Sequence, residues 1–382
     1  MEHPGHLALG TWSGGKFMHF GEPLEDARLE ALLRPDDAIP AVITADAYGA
    51  GEADKVLGRA LQGLPRDRYW VAGTIGHDFY EGQREGAKGF PRFTDPRLRG
   101  PEAWGEYVRM ATERSLERVG VERFDLLMLH NPDHSGYHDP RVWEAMAAAR
   151  DAGLADQIGL APGPANGFTL DILACLESFG ELIDWAMVIL NPLEPWPGDY
   201  VLEAAAAKDV KVITRVVDYG GIFWDDVRPG HRFRDFDHRQ FRPEGWIERG
   251  VERLERMRPV ADRHGLTPLQ LAAQWNLAHA AVEMVAPTLI QEADPADGSA
   301  ARPVEDKRAE LAATPAKVVL SEEDVVEIRS IGDNTNCMAL KGANPEQDER
   351  VSDRWPVEDR LVEVGQRWGV DAERDLRHVP AA

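Results

Sequence analysis

Residues 43–61, with the sequence ITADAYGAGEADKVLGRAL, decide the fold of this chain. They begin inside a short apolar run, Ala41–Ala45, that predicts a buried β-strand. After Tyr48 they continue into Glu52–Leu61, whose apolar spacing is typical of an amphipathic helix. A strand followed by a helix is the repeating unit of parallel α/β folds, and such a fold requires further copies of this unit along the chain.

The same alternation recurs almost throughout. Further strands are predicted at Tyr69–Thr74, Phe124–Leu129, Gln157–Leu160, Trp185–Leu190, Lys211–Val216 and Val282–Ala286, with one more near Leu7–Thr11. Helix-like runs lie at Glu102–Val119, Arg141–Ala152, Leu170–Phe179, Tyr200–Lys208, Trp246–His264 and Thr267–Ala278. About eight repeats predict an α/β fold of the (β/α)8 TIM barrel type. A doubly wound open sheet is the alternative, but no Gly-x-Gly-x-x-Gly follows an early strand.

The barrel is predicted to span residues 1–340, followed by a C-terminal extension at 341–382. Long connections at about 76–101 and 218–245 follow strands, so in a barrel they lie over the C-terminal mouth, where active sites are built. A polar segment at about 293–315 is predicted to be a loop or a partly ordered insertion. In the extension, Trp355 and Trp368 predict a short helix docked on the barrel or on a partner subunit, which leaves a homo-oligomer open.

Composition narrows the classes of function. The chain has 382 residues, 43% of them hydrophobic, and a formal net charge of −23. This charge argues against nucleic acid or an anionic membrane surface as the main partner and favours a small-molecule substrate. Two cysteines are too few for a disulfide framework. Neither a secretory signal nor a membrane span is visible, so the expected location is cytoplasmic.

The opening stretch resembles the aldo-keto reductases, in which a strand ends in Asp-Thr-Ala-x-x-Tyr-Gly and a helix follows. Gly10-Thr11-Trp12 resembles their first strand, and SLERVGVERFDLLMLHNPD at 115–133 resembles the segment that carries their catalytic His, here His130. The resemblance covers roughly residues 7–331. It implies a TIM barrel and an enzyme that reduces a carbonyl group with NADPH, with Tyr48 as proton donor.

Two catalytic positions of that family have lost their charge in this chain. The family's Asp falls on Ile43 and its Lys on Thr74, whereas Tyr48 and His130 are retained. A free tyrosine titrates near 10 and needs a neighbouring cation to act as an acid–base group at neutral pH. The resemblance therefore implies a reductase frame without the usual aid to its tyrosine.

The positions that hold the cofactor in the family have changed too. Those that hold the nicotinamide fall on Ala161, Pro162, Met187 and Arg215, and neither Ala161 nor Pro162 has a side chain that can form hydrogen bonds. The adenosine-phosphate segment falls on residues 288–292, which end in Glu292, although Arg302, Lys307 and Arg308 could compensate. The cofactor is thus unknown. A conventional member of the family uses NADPH, and the alternative is that this chain uses no cofactor.

Three hypotheses follow. The first is a cofactor-independent isomerase, dehydratase or lyase that acts on a sugar, polyol or glycoside-like substrate through Tyr48 and His130, since a His is suited to proton transfer at neutral pH. The alternative is an NADPH-dependent reductase or dehydrogenase. The third is a catalytically inactive protein that binds a ligand.

Residues at the ends of strands and in the long loops are the candidate substrate-binding groups. They are Trp12, His77, Asp78, Asn191, Arg215, Asp218, Tyr219 and Trp224, with Trp196 as a further aromatic surface. His130, His134 and His138 are spaced by four, but Pro132 and Gly136 predict a loop there, and no metal site is predicted.

Overall fold

The computed structural model describes residues 4–85, 89–163, 165–242, 244–293, 301–334, 358–371 and 375–376. Eight parallel strands form one sheet in sequence order: β1 Ala8–Gly10, β2 Ala41–Ala45, β3 Trp70–Ile75, β4 Phe124–His130, β5 Ala155–Ala161, β6 Trp185–Ile189, β7 Lys211–Arg215 and β8 Val282–Ala286. A parallel bridge between Leu7 and Val285 joins the last strand to the first. The predicted barrel is confirmed.

Twelve α-helices are found in the described part of the chain. They are α1 Asp26–Leu33, α2 Glu52–Leu61, α3 Trp104–Val119, α4 His134–His138, α5 Pro140–Asp151, α6 Ala165–Phe179, α7 Asp199–Ala207, α8 Trp246–His264, α9 Pro268–Leu277, α10 Val304–Ala312, α11 Glu322–Ile331 and α12 Asp359–Arg367. α4 lies where we predicted a loop, and α10 lies inside the segment predicted to be a loop or a partly ordered insertion. Among these helices, none is long and apolar enough to cross a lipid bilayer.

Two apolar cores follow from the alternation of side chains along each strand. On β2, Ala41 and Ile43 belong to the core inside the barrel, while Val42 belongs to the core between strands and helices. Successive residues of a strand point to opposite faces, so each strand supplies both cores. Trp70 and Trp185 meet inside the barrel with ring centroids 5.8 Å apart. The interior is therefore filled, and space for a ligand is left at the mouth.

The C-terminal helix docks on the same chain. The indole Nε1 of Trp368, just after α12, donates to Glu177 Oε1 at 2.9 Å, and Arg367 pairs with the same carboxylate. Glu177 lies on α6, so α12 covers part of the outer helical layer. Trp355, the other tryptophan predicted to dock, lies outside the described residues.

Candidate active site

A cavity of about 510 Å³ opens at the C-terminal ends of the strands. Tyr48, His130 and Arg215 line it together with Trp12. The loop after β7 contributes another part of the wall, including His238 and Arg242. A cavity of this size suits a small ligand, and its place at the barrel mouth is where TIM-barrel enzymes keep their active sites.

The turn after β2 carries Tyr48 to the mouth. Gly49, Ala50 and Gly51 have φ angles of 59°, 52° and 94°, a left-handed region that glycine enters easily and alanine rarely. The chain thereby reverses within one turn between β2 and α2. The ring of Tyr48 meets that of His130 edge to face, with centroids 5.6 Å apart.

His130 ends β4 and is almost fully buried. Its Nδ1 atom is buried without a hydrogen-bond partner in the described part of the chain. Burial, together with the nearby His77, Arg92 and Arg215, lowers the pKa of His130 well below its usual range. The imidazole is therefore neutral at physiological pH.

His77 lies behind His130 rather than in the cavity wall, with ring centroids 5.0 Å apart. Its Nδ1 is 2.8 Å from Nη1 of Arg92, and its Nε2 is 3.3 Å from the side-chain amide of Asn131. Burial and the charge of Arg92 lower the pKa of His77 to about 4. It lies against His130 in the structure, and its role toward a substrate stays a prediction.

Arg215 brings a permanent cation to the cavity. Its Nη2 donates to the carbonyl oxygen of Pro162 at 3.0 Å, and its Nε is buried without a partner among the described residues. Burial raises the pKa of Tyr48, and the charge of Arg215 opposes that rise. The family pattern has its lysine at the position of Thr74, on β3. Arg215 lies on β7, on the opposite side of the barrel, and its charge acts on Tyr48 from there.

The two positions that carry charged catalytic residues in the family, Ile43 and Thr74, have uncharged side chains here. Ile43 packs in the barrel core, and Thr74 lines the cavity with its hydroxyl buried and without a partner in the described residues. A carboxylate on a neighbouring element, Asp46, does not replace the lost one, because its side chain is fully buried and does not line the cavity.

The residues that could hold a nicotinamide dinucleotide do not fit it. The three cations that could bind the adenosine phosphate are committed to protein groups. Arg302 pairs with Glu310, Lys307 pairs with Asp226, and Arg308 donates to the Arg34 carbonyl and to Asp36. Glu292, in the segment that faces the phosphate in the family, is held by His231 and Arg239. With Ala161 and Pro162 at the amide position, the residues that the structure describes offer neither end of the cofactor its usual partners.

Of the predicted substrate-binding residues, Trp12, Arg215 and Asp218 line the cavity. Asp218 is buried, and its Oδ1 accepts from the backbone N–H of Thr288 at 2.8 Å, which anchors the loop after β7 to the segment after β8. Their roles toward a substrate stay predictions.

The structure places the other candidates away from the cavity. Asp78 is buried and accepts from the backbone N–H groups of Tyr80 and Glu81, so it fixes the start of the loop after β3. Asn191 holds the turn after β6 by accepting from the N–H of Leu193. Both side chains fix loops in the structure, and their roles toward a substrate stay predictions.

Three aromatic candidates, Tyr219, Trp224 and Trp196, also lie outside the lining of the cavity. Tyr219 is buried against Trp246, with ring centroids 5.8 Å apart. Trp224 is buried and donates to the Thr288 carbonyl at 2.9 Å, and Trp196 lies fully buried in the core. All three side chains are buried outside the lining of the cavity, and their roles toward a substrate stay predictions.

Several cavity residues were not predicted from the sequence. They are Met18, Phe20, Asn131, Glu194, His238 and Arg242. Asn131 follows His130 directly and could have been found from the strand end. Met18 and Phe20 lie in an irregular segment after β1, and His238 and Arg242 lie far along a loop, where periodicity gives no signal.

The aldo/keto reductase family model matches residues 6–331. The chain is 27% identical over 244 residues to the probable aldo-keto reductase 1 of Glycine max, covering 61% of this chain and 62% of that protein. It is also 27% identical over 258 residues to a D-threo-aldose 1-dehydrogenase of Pseudomonas sp, covering 63% of this chain and 72% of that protein. The chain thus spans less than two thirds of the length of the Glycine max protein.

A solved structure agrees in fold. The glycerol dehydrogenase of Gluconobacter oxydans superimposes with a TM-score of 0.62 at 21% identity, covering 90% of this chain and 94% of that one. The family model covers most of the chain, from before β1 to the end of α11. The chain therefore belongs to the aldo/keto reductase family of oxidoreductases.

Proposed function

We propose that this chain is an enzyme that transfers protons on a small hydroxylated carbonyl substrate, such as a sugar, without a nicotinamide cofactor. Tyr48 and His130 are the proton-transfer groups, and Arg215 is the cation that assists them. The reaction class is the tautomerisation shared by isomerases, dehydratases and lyases. The family membership supports an enzyme with a carbonyl-binding mouth, and the side chains of the mouth support the choice of chemistry.

The contact between Arg215 and the Pro162 carbonyl, 3.0 Å long, carries this proposal. In the family pattern, the position of Arg215 stacks under the nicotinamide ring and that of Pro162 helps to hold its amide. A guanidinium that links the two positions lies across the region between them. This supports a mouth that takes a small anionic or carbonyl group rather than the cofactor.

The protonation states of the two retained residues suit proton transfer. Tyr48, whose pKa burial raises, is protonated and donates its proton to the carbonyl oxygen of the substrate. Neutral His130 accepts a proton from the adjacent carbon, and the electrons of that C–H bond form the double bond of an enol. Arg215 stabilises the negative charge that develops on the oxygen. In an isomerisation, His130 returns its proton to the former carbonyl carbon, and the hydroxyl group on the adjacent carbon returns a proton to Tyr48 as it becomes the new carbonyl. In a dehydration, His130 gives its proton to the β-hydroxyl group, which leaves as water, and the enol hydroxyl returns its proton to Tyr48 as the carbonyl re-forms.

Cofactor binding is tested by titrating the purified chain with NADPH and following its tryptophan fluorescence, since Trp12 lines the cavity. We expect no saturable quenching in the micromolar range. Saturable micromolar quenching of the wild-type chain would contradict the cofactor-free proposal.

Proton transfer is tested by incubating the chain in D2O with a panel of aldoses, ketoses and sugar acids and following deuterium incorporation by NMR. Tyr48→Phe and His130→Ala are each expected to slow exchange by about 10²–10⁴-fold, the usual contribution of a positioned acid or base. Tyr69→Phe, outside the cavity, is the matched control and is expected to retain the rate. Unchanged exchange in both site variants would remove the two residues from the mechanism.

The second candidate function is an NADPH-dependent reductase or dehydrogenase. The similarity to a protein named D-threo-aldose 1-dehydrogenase supports it. Tyr48 is the proton donor in this alternative too, so Tyr48→Phe does not separate the two. Oxidation of aldoses coupled to reduction of NADP, followed by absorbance, separates them directly.

A further inference from the structure

Two histidines and an aspartate form a cluster that the proposed chemistry does not use. His134 and His138 lie on α4, and Asp171 lies on α6. One ligand atom from each of the three residues lies within 4.8 Å of the others. None of the three lines the mouth cavity, and His130, which shares their spacing in the sequence, belongs to that cavity instead.

The fold of α4 places both histidines on one face. Asp133 caps the helix by accepting from the N–H of Gly136 at 2.9 Å, and this cap forms the helix where a loop was predicted. Residues four apart lie one turn apart on the same face. The rings of His134 and His138 are accordingly close, with centroids 4.6 Å apart.

α6 brings the aspartate to this face. Between the histidines, Tyr137 stacks on Phe168 of α6 with centroids 5.5 Å apart, which sets α4 against that helix. Asp171, one turn further along, is only 2% exposed. Its Oδ1 lies 2.6 Å from Nε2 of His138.

The second oxygen of Asp171 is the atom that suggests a bound cation. Oδ2 is buried and has no hydrogen-bond partner among the described residues. A buried carboxylate oxygen without a partner is costly, and such groups are usually satisfied by a donor, water or an ion. A cation bound between the two imidazoles and this carboxylate would satisfy it.

We propose that His134, His138 and Asp171 bind a zinc ion. Two imidazole nitrogens and one carboxylate oxygen form a donor set that Zn²⁺ prefers, and the exposed His134 leaves the cluster accessible from solvent. The carboxylate of Glu358, just before α12, lies 3.6 Å from Nε2 of His134 and adds negative charge beside the site. The ion would tie the segment after His130 to α6, and so hold the rim of the mouth.

Among the described residues, a second histidine–aspartate pair has the same kind of contact but belongs to no group of three metal-ligating side chains. His264 Nε2 lies 2.8 Å from Asp324 Oδ2, much as His138 lies from Asp171. Among the described residues, only the cluster on α4 and α6 combines three ligand atoms. His264 therefore serves as the control for an ordinary histidine–aspartate hydrogen bond.

The test uses the full chain without an affinity tag, treated with a chelator and then freed of it. Titration with ZnCl₂ by calorimetry is expected to show one equivalent bound in the micromolar range or tighter. His138→Ala and Asp171→Asn are each expected to weaken binding by about 10–100-fold or more, while His264→Ala leaves it unchanged. Absence of binding to the wild-type chain, or equal binding by all variants, would overturn the site.

Cobalt gives a readout that does not depend on stability. Co²⁺ in place of zinc is expected to give the strong visible absorption of a four-coordinate ion in the wild-type chain and in His264→Ala. Asp171→Asn, which keeps the size of the side chain, is expected to lose that absorption while its circular dichroism stays native. A wild-type spectrum like that of hydrated Co²⁺ would contradict the proposal.

Discussion

The charge of Arg215 acts on both proposed proton-transfer residues, Tyr48 and His130, in the same direction. A nearby cation disfavours the imidazolium and favours the phenolate, so Arg215 lowers the pKa of His130 and of Tyr48. Arg215→Gln is expected to raise both pKa values and to slow turnover by about 10²–10³-fold, the usual effect of removing an electrostatic stabiliser. The acid limb of kcat/KM against pH should therefore move to higher pH.

The control for this variant is Arg109→Gln, a change on the exposed face of α3. It is expected to leave both the rate and the pH profile as they are. An Arg215→Gln profile whose acid limb has not moved would show that Arg215 does not act on His130.

The fold also opposes the ionisation of Asp46. Both carboxylate oxygens are buried without partners in the described residues, and burial together with the charge of Asp54 raises the pKa of Asp46 well above its usual range. A group with a raised folded pKa stabilises the fold fully below its unfolded pKa, and this stability is lost as pH rises toward the folded pKa. Wild-type stability should thus carry a loss at neutral pH that comes from Asp46.

Asp46→Asn removes that loss because the amide does not ionise. Its free energy of unfolding is expected to exceed that of the wild type by about 1–3 kcal/mol at pH 8, with the difference vanishing near pH 4. Urea unfolding at several pH values measures this. Asp67→Asn, on an exposed turn, should track the wild type at every pH. A constant difference between Asp46→Asn and the wild type would refute the assigned ionisation.

The elements with strong apolar periodicity were predicted closely. β2, α2 and α8 have the predicted bounds. α6 begins at Ala165 rather than Leu170, because its first turn contains Asn166 and Gly167, which have low helix propensity and gave no signal. α4 was missed because its cap, rather than its composition, makes it a helix.

The long loop after β7 is fixed by one buried arginine. Arg239 donates to both oxygens of Asp237 and to both oxygens of Glu292, which ties the loop to the segment after β8. Burial opposes the ionised form of Glu292, but the hydrogen bond from His231 and the charge of Arg239 lower its pKa to about 2. The stability from this carboxylate is therefore present above about pH 4.5 and lost only as pH falls through about 2.

Arg239→Gln leaves two buried carboxylates without their cation. This is expected to cost about 3–5 kcal/mol of unfolding free energy and to expose residues 218–245 to limited proteolysis. Arg234→Gln is the control on the same loop, because its pair with Glu22 is exposed and is worth at most about 1 kcal/mol. Similar losses in both variants would mean that burial does not set the strength of this contact.

The candidate site could be predicted only in part, because it forms where distant strands meet. Tyr48 and His130 were predicted from local motifs. The contact of Arg215 with Pro162 joins β7 to the loop after β5, and no pattern within either segment contains it. Trp196 and Trp224 follow strands as Trp12 does, yet both are buried outside the lining of the cavity, and tertiary structure decides that placement.

The C-terminal helix joins the extension to the barrel mainly through apolar contacts. Leu361, Val364 and Val370 are buried, while the pair of Arg367 with Glu177 is partly exposed and contributes little. Because few side chains hold α12 on the outer helical layer, we expect it to detach without unfolding the barrel. The stability of its docking is thus set by a few side chains.

Leu361→Ala is expected to weaken this docking by about 2–5 kcal/mol, the cost of truncating a buried leucine. Amide hydrogen exchange should accelerate across residues 359–367 and remain slow in β2 to β7, whereas exposed Glu363→Ala leaves both regions unchanged. Exchange in α12 that does not depend on protein concentration supports docking within one chain. Protection that increases with concentration would instead assign the helix to a contact between subunits, and acceleration throughout the barrel would show that α12 unfolds only with the whole chain.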